Sequence, residues 1–295
     1  MIEKIKFNKV TFIGFGLINS SLARVIKSKA IANEICAYSR SEATRKKIKH
    51  LNIVTNVNDN ILEAVEDADL IILGVPVGAM ESLVKQFKDN IKLGAIITDV
   101  GSTKKEIIHS ISPYLTEGIH FVPGHPIAGT EKSGPESGFA ELFNGHWCIL
   151  TPSKDTNKDA IKVVTNLWEQ AGMSVAIMDA DYHDRVLAIT SHIPHLVAYS
   201  IVGTVTELED HLKTEVIKYS AGGFRDFTRI AASDPVMWRD VFLNNSDAVL
   251  EMLGRFIEDL TALQKSIRWK DGDALEELFS KTRDIRKGII SAKQD

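Results

Sequence analysis

The sequence predicts an α/β fold: a doubly wound parallel sheet over residues 1–178, followed by an all-helical domain over residues 179–295. Three observations lead there. Short apolar, strand-like runs alternate with helix-like segments through the first half. The first of these runs ends in a glycine turn that opens a helix. From Asp179 onward strand patterns vanish and long helical periodicity takes over, which sets the domain boundary near Met178.

The opening unit is Val10-Thr11-Phe12-Ile13, then Gly14-Phe15-Gly16-Leu17-Ile18-Asn19, then helical spacing from Ser20 to Lys27. In such a turn the first glycine permits the tight bend and the second lets a pyrophosphate approach the backbone. The helix start adds unpaired N–H groups and a positive dipole end. Gly14, Gly16, Leu17 and Ile18 are therefore candidate cofactor-binding residues. Asn19 stands where a third glycine normally lets helix and strand pack closely, which implies a wider or rotated helix start.

Further βα units follow at Glu34-Ile35-Cys36-Ala37-Tyr38, Leu70-Ile71-Ile72-Leu73-Gly74-Val75-Pro76 and Ala95-Ile96-Ile97-Thr98-Asp99. Parallel sheets of this type bind ligands beyond the carboxyl ends of their strands. That singles out Ser39, Arg40, Val75, Pro76 and Gly101 for the cofactor. An NAD site expects an acid at a strand end about twenty residues past the glycines, and Ser39-Arg40 occupies that place instead. This favours a 2′-phosphate and hence NADP, with NAD as the alternative; the competing reading makes Arg40 a solvated loop charge. Arg45-Lys46-Lys47 reads as a solvated helix face. Ser102, in Asp99-Val100-Gly101-Ser102-Thr103-Lys104, is placed to N-cap the next helix. His146-Trp147-Cys148-Ile149-Leu150 and Ser174-Val175-Ala176-Ile177-Met178 read as the last strands, bracketing a helix from Asp159 to Ala171.

Val122-Pro123-Gly124-His125-Pro126-Ile127-Ala128-Gly129-Thr130-Glu131-Lys132-Ser133-Gly134 frames one histidine with prolines and glycines. The segment is expected to be an ordered, irregular loop that aims His125, and such loops collect catalytic residues. The alternative is a hydrogen-bonded structural histidine.

Composition excludes several classes. With 295 residues, 44% hydrophobic, a net charge of -4 and a pI near 6.2, the chain has no global basic field for nucleic acid. The N-terminus lacks the apolar core of a secretion signal, and no apolar run long enough to span a membrane is expected, so the expected setting is cytoplasmic. Cys36 and Cys148 lie in separate apolar runs and read as buried thiols. The histidines and cysteines show no metal-ligand spacing, and no metal is expected.

In the helical half, Ser191-His192-Ile193-Pro194-His195 places two histidines around a proline that is expected to kink the helix. Gly222-Gly223-Phe224-Arg225-Asp226-Phe227-Thr228-Arg229 is expected to break the helix, and Gly222 is counted with the substrate-binding residues. Arg225, Arg229 and Arg239 cluster here. One of them is suited to bind a carboxylate, the alternative being salt bridges with Asp226, Asp234 or Asp240. Val249, Leu250, Leu253, Phe256, Ile257, Leu260, Leu263 and Ile267 form an apolar stripe, expected to pair two copies of the chain.

Taken together, Gly14 to Ile18, Asp99 to Lys104, His125 to Gly134, Ser191 to His195 and Phe224 to Pro235 resemble the prephenate and arogenate dehydrogenases of tyrosine biosynthesis. The resemblance spans almost the whole chain. It implies a Rossmann domain joined to a helical dimerisation domain, and NAD(P)-linked oxidative decarboxylation of prephenate or arogenate. It implies His125 as the base at the substrate hydroxyl, with Ser102 positioning it. Arg229 suits the ring carboxylate and His192 or His195 the side-chain carboxylate. The competing readings are a reductase of the β-hydroxyacid dehydrogenase or imine reductase type, and a non-enzymatic NADP-sensing module.

Overall fold

A computed structural model describes residues 5–207, 215, 218–219 and 222–291; the expected N-terminal segment falls partly in residues 1–4, outside the described ones. Contacts divide the chain into two compact units, residues 1–245 and 246–295.

The first unit is built on a six-stranded parallel sheet: β1 (Phe7–Ile13), β2 (Ala32–Tyr38), β3 (Asn56–Asn58), β4 (Leu70–Leu73), β5 (Ile96–Asp99) and β6 (His120–Val122). Its order is β3-β2-β1-β4-β5-β6, so the winding reverses between β1 and β4, where Ile13 is in register with Leu73. Helices cover both faces. With α1 (Leu17–Ser28) and α6 (Lys158–Gln170) lie Phe12, Leu22, Ile72 and Trp168; with α4 (Val77–Phe87) and α5 (Lys105–Ile111) lie Ile71, Leu73, Val84 and Ile107. Successive residues of β4 therefore enter opposite cores, and this explains its unbroken apolar run. Between these elements run α2 (Glu42–Leu51) and α3 (Ile61–Val65).

The expected last strands do not join this sheet. β7 (Gly124–Pro126), β8 (Trp147–Leu150) and β9 (Ser174–Ile177) form a separate three-stranded sheet, β7 antiparallel to β8 and β8 parallel to β9. Strands end at Ile177, and the described chain after it is helical: α7 (Ala180–Leu187), α8 (Ile193–Thr206), α9 (Gly222–Thr228) and α10 (Pro235–Asn244).

Gly222 and Gly223 lie in α9 itself, and the chain leaves that helix at a 3-10 turn over Arg229–Ala232; the residues just before Gly222 lie outside the described ones. Pro194, expected to kink its helix, sits inside a helical run that continues from Ala180 to Val205. The irregularity lies just before it, in a π-helical turn over Ala188–His192. A membrane expectation also changes: Ala180–Val205 is long and apolar enough to cross a membrane, with mean hydropathy 1.4 over its best window. This stretch carries buried His183, Asp184 and His192, whose polar atoms are bonded to other parts of the first unit.

The second unit is a pair of helices, α11 (Ser246–Trp269) and α12 (Gly272–Ser291).

Candidate active site

The glycine turn joins β1 to α1. Gly14 has φ +81°, and a side chain there would strike Val75 at 2.5 Å, so the turn needs glycine for both conformation and space. Gly16 N-caps α1, and a Cβ on it would meet nothing within 4 Å. The first N–H groups of α1, those of Leu17 and Ile18 among them, have no partner within the helix. No acid lies in that turn. Asn19 is buried and its Nδ2 donates to the Gly14 carbonyl at 2.8 Å, closing the turn from the helix side. Val75 and Pro76 follow β4 on the other side of the reversal, with Pro76 capping α4. This geometry fits a dinucleotide: an open backbone cradle at a helix N-terminus, beyond the carboxyl ends of the strands.

After β2, Ser39 is half-buried and Arg40 exposed. Arg45, expected on a solvated helix face, folds back instead: its Nη1 donates to the Ser39 and Arg40 carbonyls at 2.9 and 3.0 Å. Gly101 is held by the Asp99 carboxylate, which accepts its N–H at 2.8 Å, and it is crowded by Ile107.

His125 occupies the short strand β7, a correction to the irregular loop expected for its segment. Its register partner is Ile149 on β8, and the irregular part begins at Ile127. The strand was hidden because three residues with a proline carry no alternation to read. His125 retains 8% exposure, and its Nδ1 lies 2.8 Å from Nε2 of His183 on α7. His183 Nδ1 in turn lies 2.8 Å from Oδ1 of Asp184. The same carboxylate accepts the backbone N–H groups of Lys104 and Lys105 at 2.8 and 2.9 Å, so it is the acceptor toward His183 as well. Protonation follows along the chain. His183 carries its proton on Nδ1, its Nε2 accepts from Nδ1–H of His125, and the Nε2 lone pair of His125 is left outside the relay. Burial, then the neighbouring His183, Lys104 and His192, hold the His125 imidazole well below the usual histidine range. Burial also lowers His183, partly offset by its bond to Asp184.

Ser102 does not cap α5. The helix starts at Lys105 after Lys104, and the cap comes from across the fold, from Asp184. The Ser102 backbone neighbours His192 instead. His192 is buried; Asn245 Nδ2 donates to its Nδ1 at 3.1 Å and to the Asp184 carbonyl at 2.8 Å. This leaves the proton of His192 on Nε2, facing the Ser102 backbone without completing a hydrogen bond. Burial brings His192 down to about 4.

His195 donates Nδ1–H to the Ser191 carbonyl at 2.9 Å and stacks on Trp238, with ring centroids 3.6 Å apart. Burial lowers it too. Arg229 pairs with none of the aspartates weighed from the sequence. Its Nη1 lies 3.0 Å from Oε2 of Glu131, in the segment after His125. Arg239 takes Asp240, at 2.7 Å. A Cβ on Gly222 would meet only Asp226 at 3.9 Å. His183 and Asp184 are the residues that sequence reasoning missed; the available signal was a His-Asp pair in the first helix after the last strand.

Comparison with known proteins follows the same lines. The family profile "Prephenate dehydrogenase, nucleotide-binding domain" matches residues 22–177, and "Prephenate dehydrogenase, dimerization domain" matches residues 179–281. The chain is 43% identical to the cyclohexadienyl dehydrogenase of Zymomonas mobilis, over 96% of either chain. It is 32% identical to the prephenate dehydrogenase of Bacillus subtilis, over 95% of this chain and 76% of the relative. The crystal structure of Aquifex aeolicus prephenate dehydrogenase in complex with hydroxyphenyl propionate and NAD+ superposes with a TM-score of 0.90 at 32% identity, covering 97% of this chain and 100% of that one. The chain belongs to the prephenate dehydrogenase family.

Proposed function

We propose that this protein catalyses the nicotinamide-linked oxidative decarboxylation of prephenate or arogenate, yielding 4-hydroxyphenylpyruvate or tyrosine. The observation that carries the reading is the His125–His183–Asp184 relay, which leaves one uncharged imidazole nitrogen lone pair available near neutral pH. His125 Nε2 takes the proton of the ring hydroxyl as the hydride leaves the same carbon. The resulting dienone loses its ring carboxylate as carbon dioxide, and the released electron pair aromatises the ring. The chain's task is therefore to hold, orient and deprotonate. His183 and Asp184 fix the tautomer and stabilise the imidazolium formed.

Arg229 suits the ring carboxylate, and His192 or His195 the side-chain carboxylate. Support for His192 comes from its buried, unpaired Nε2–H, and for His195 from a ring held by Ser191 and Trp238. Ser102 adjoins His192 and Gly222 lies near Arg229 in the chain. Gly14, Gly16, Leu17, Ile18, Val75, Pro76 and Gly101 would cradle the dinucleotide, which when bound accepts the hydride on its nicotinamide ring. Ser39 and Arg40, without an acid beside them, support NADP over NAD.

We read residues 1–178 as the dinucleotide-binding domain and 179–295 as the substrate and dimerisation domain, supported by the end of the strands at Ile177 and the change of family profile after residue 177. The stripe on α11 supports a homodimer: Leu250, Ile257, Leu260 and Ile267 are exposed within one chain. The cytoplasm is the setting that suits such a biosynthetic enzyme.

The test is coenzyme reduction by the purified protein with prephenate and with arogenate, each against NADP and NAD. Turnover of at least one pair supports the proposal. No turnover of either substrate, with oxidation of a β-hydroxyacid instead, would move the protein to the competing reductase reading.

A further inference from the structure

A buried ion pair beside α5 grips the strand that carries His125. Asp99 ends β5 and Lys104 precedes α5, and both side chains are wholly out of solvent. Lys104 Nζ donates to Asp99 Oδ2 and, at 2.8 Å, to the Gly124 carbonyl. Asp99 Oδ1 accepts the Gly124 N–H at 3.2 Å. Both backbone polar groups of the residue before His125 are thus held by one pair of charges. The approach is close because position 124 lacks a side chain; a Cβ there would lie 3.1 Å from the Asp99 carbonyl oxygen. Lys104 also reaches the far end of the relay, since its backbone N–H donates to Asp184 Oδ1 at 2.8 Å, the same atom that holds His183.

Stability alone does not account for such a pair. Withdrawing two charges from water costs about as much as their attraction returns, whereas their geometry is fixed tightly. We propose that Asp99 and Lys104 are a positioning pair for His125, setting its backbone through Gly124 and its ring through Asp184 and His183. The proposal rests on His125 as the base of the reaction above.

The pair also has an electrostatic effect. Lys104 is among the charges that disfavour imidazolium at His125, after burial and His183. The other titratable groups around His125 are His183 and Asp184 on α7, His192 on the π-helical turn, and the Cys148 thiol on β8, which burial pushes far up.

Lys104→Met alone would leave Asp99 unpaired in the core and endanger folding. The double variant Asp99→Asn, Lys104→Met removes both charges at nearly constant volume. Two measurements on it decide the matter. Ring-nitrogen NMR, assigned with His125→Asn, follows the titration of His125 without any substrate; Lys104 is the member of the pair that lowers His125, so the midpoint should rise in the double variant. Turnover with the substrate and coenzyme identified above should fall roughly 10- to 100-fold at saturating coenzyme, a condition that allows for the Gly101 N–H, which Asp99 also holds. An unshifted His125 midpoint, wild-type turnover in the double variant, or its failure to fold would each overturn the proposal, the last because the pair would then be holding the fold rather than placing His125. Failure of the wild type on both cyclohexadienyl substrates would count against the proposed reaction, while the NMR titration still judges the pair.

Discussion

Asn19 fills the space beside Gly74. A Cβ on Gly74 would come within 2.2 Å of Asn19 Nδ2, the atom that donates to the Gly14 carbonyl. In a glycine-rich dinucleotide turn, the third small residue usually sits on the helix so that helix and strand pack closely. Here the small residue stands on the neighbouring strand end, and the helix residue reaches across to it. Gly74→Ala should therefore overpack the turn and cost about 1–3 kcal/mol, seen as a melting temperature lower by several degrees. Adding Asn19→Gly should recover most of the loss. Unchanged melting of the single variant would show that Asn19 has another rotamer at no cost.

Arg229 spends the free state paired with Glu131, but its side chain is 60% exposed. An exposed pair is worth about 0–1 kcal/mol, less than the roughly 1.5–3 kcal/mol of a hydrogen-bonded carboxylate in a closed site. The substrate should therefore win the guanidinium. Arg229→Ala is expected to raise KM roughly ten- to a hundredfold, Arg225→Ala much less, and Glu131→Gln to change it by a small factor only. Equal effects at both arginines would show that the wrong one has been assigned.

The relay shows what a sequence does and does not reveal. The sheet was readable from β1, β2, β4 and β5 because strands buried on both faces are continuous apolar runs, and the glycine turn marks where the winding starts. His125 stood out through its prolines and glycines. His183 lies 58 residues farther on, and only the docking of α7 brings it to His125. Nothing in the sequence marks Lys104 as buried, since lysine is rarely found inside, and its partner Asp99 gives no sign of facing inward. Ser102 looked like a cap because local sequence cannot show that Asp184, from another helix, has taken that role.

Coenzyme choice rests on the turn after β2. Ser39 removes the carboxylate that would repel a 2′-phosphate, Arg40 supplies a charge, and Arg45 fixes both carbonyls of the turn. An arginine–phosphate contact is worth about 1.5–3 kcal/mol, so kcat/KM should favour NADP by roughly ten- to a hundredfold, and Ser39→Asp should reverse the order. A clear preference of the wild type for NAD would show that Arg40 stays in solvent.

The α11 stripe leaves Leu250 and Ile267 each 64% exposed in the single chain, a large apolar face for a helix to present to water. Light scattering should give twice 32.7 kDa at low concentration, and lysine at both Leu253 and Leu260 should yield monomers or insoluble protein. A wild-type monomer would refute the dimer.

The most direct test of the account is the pH dependence of kcat/KM for wild type beside His125→Asn. The neutral imidazole is the active form, and burial lowers its pKa, so activity should persist as pH falls below the ordinary histidine range of about 6.5 and fail only at lower pH. His125→Asn should lower kcat roughly 10²- to 10⁴-fold with KM within a small factor, and should abolish that acid limb. A variant with near-normal kcat and the same acid limb as wild type would contradict the assignment of His125 as the base.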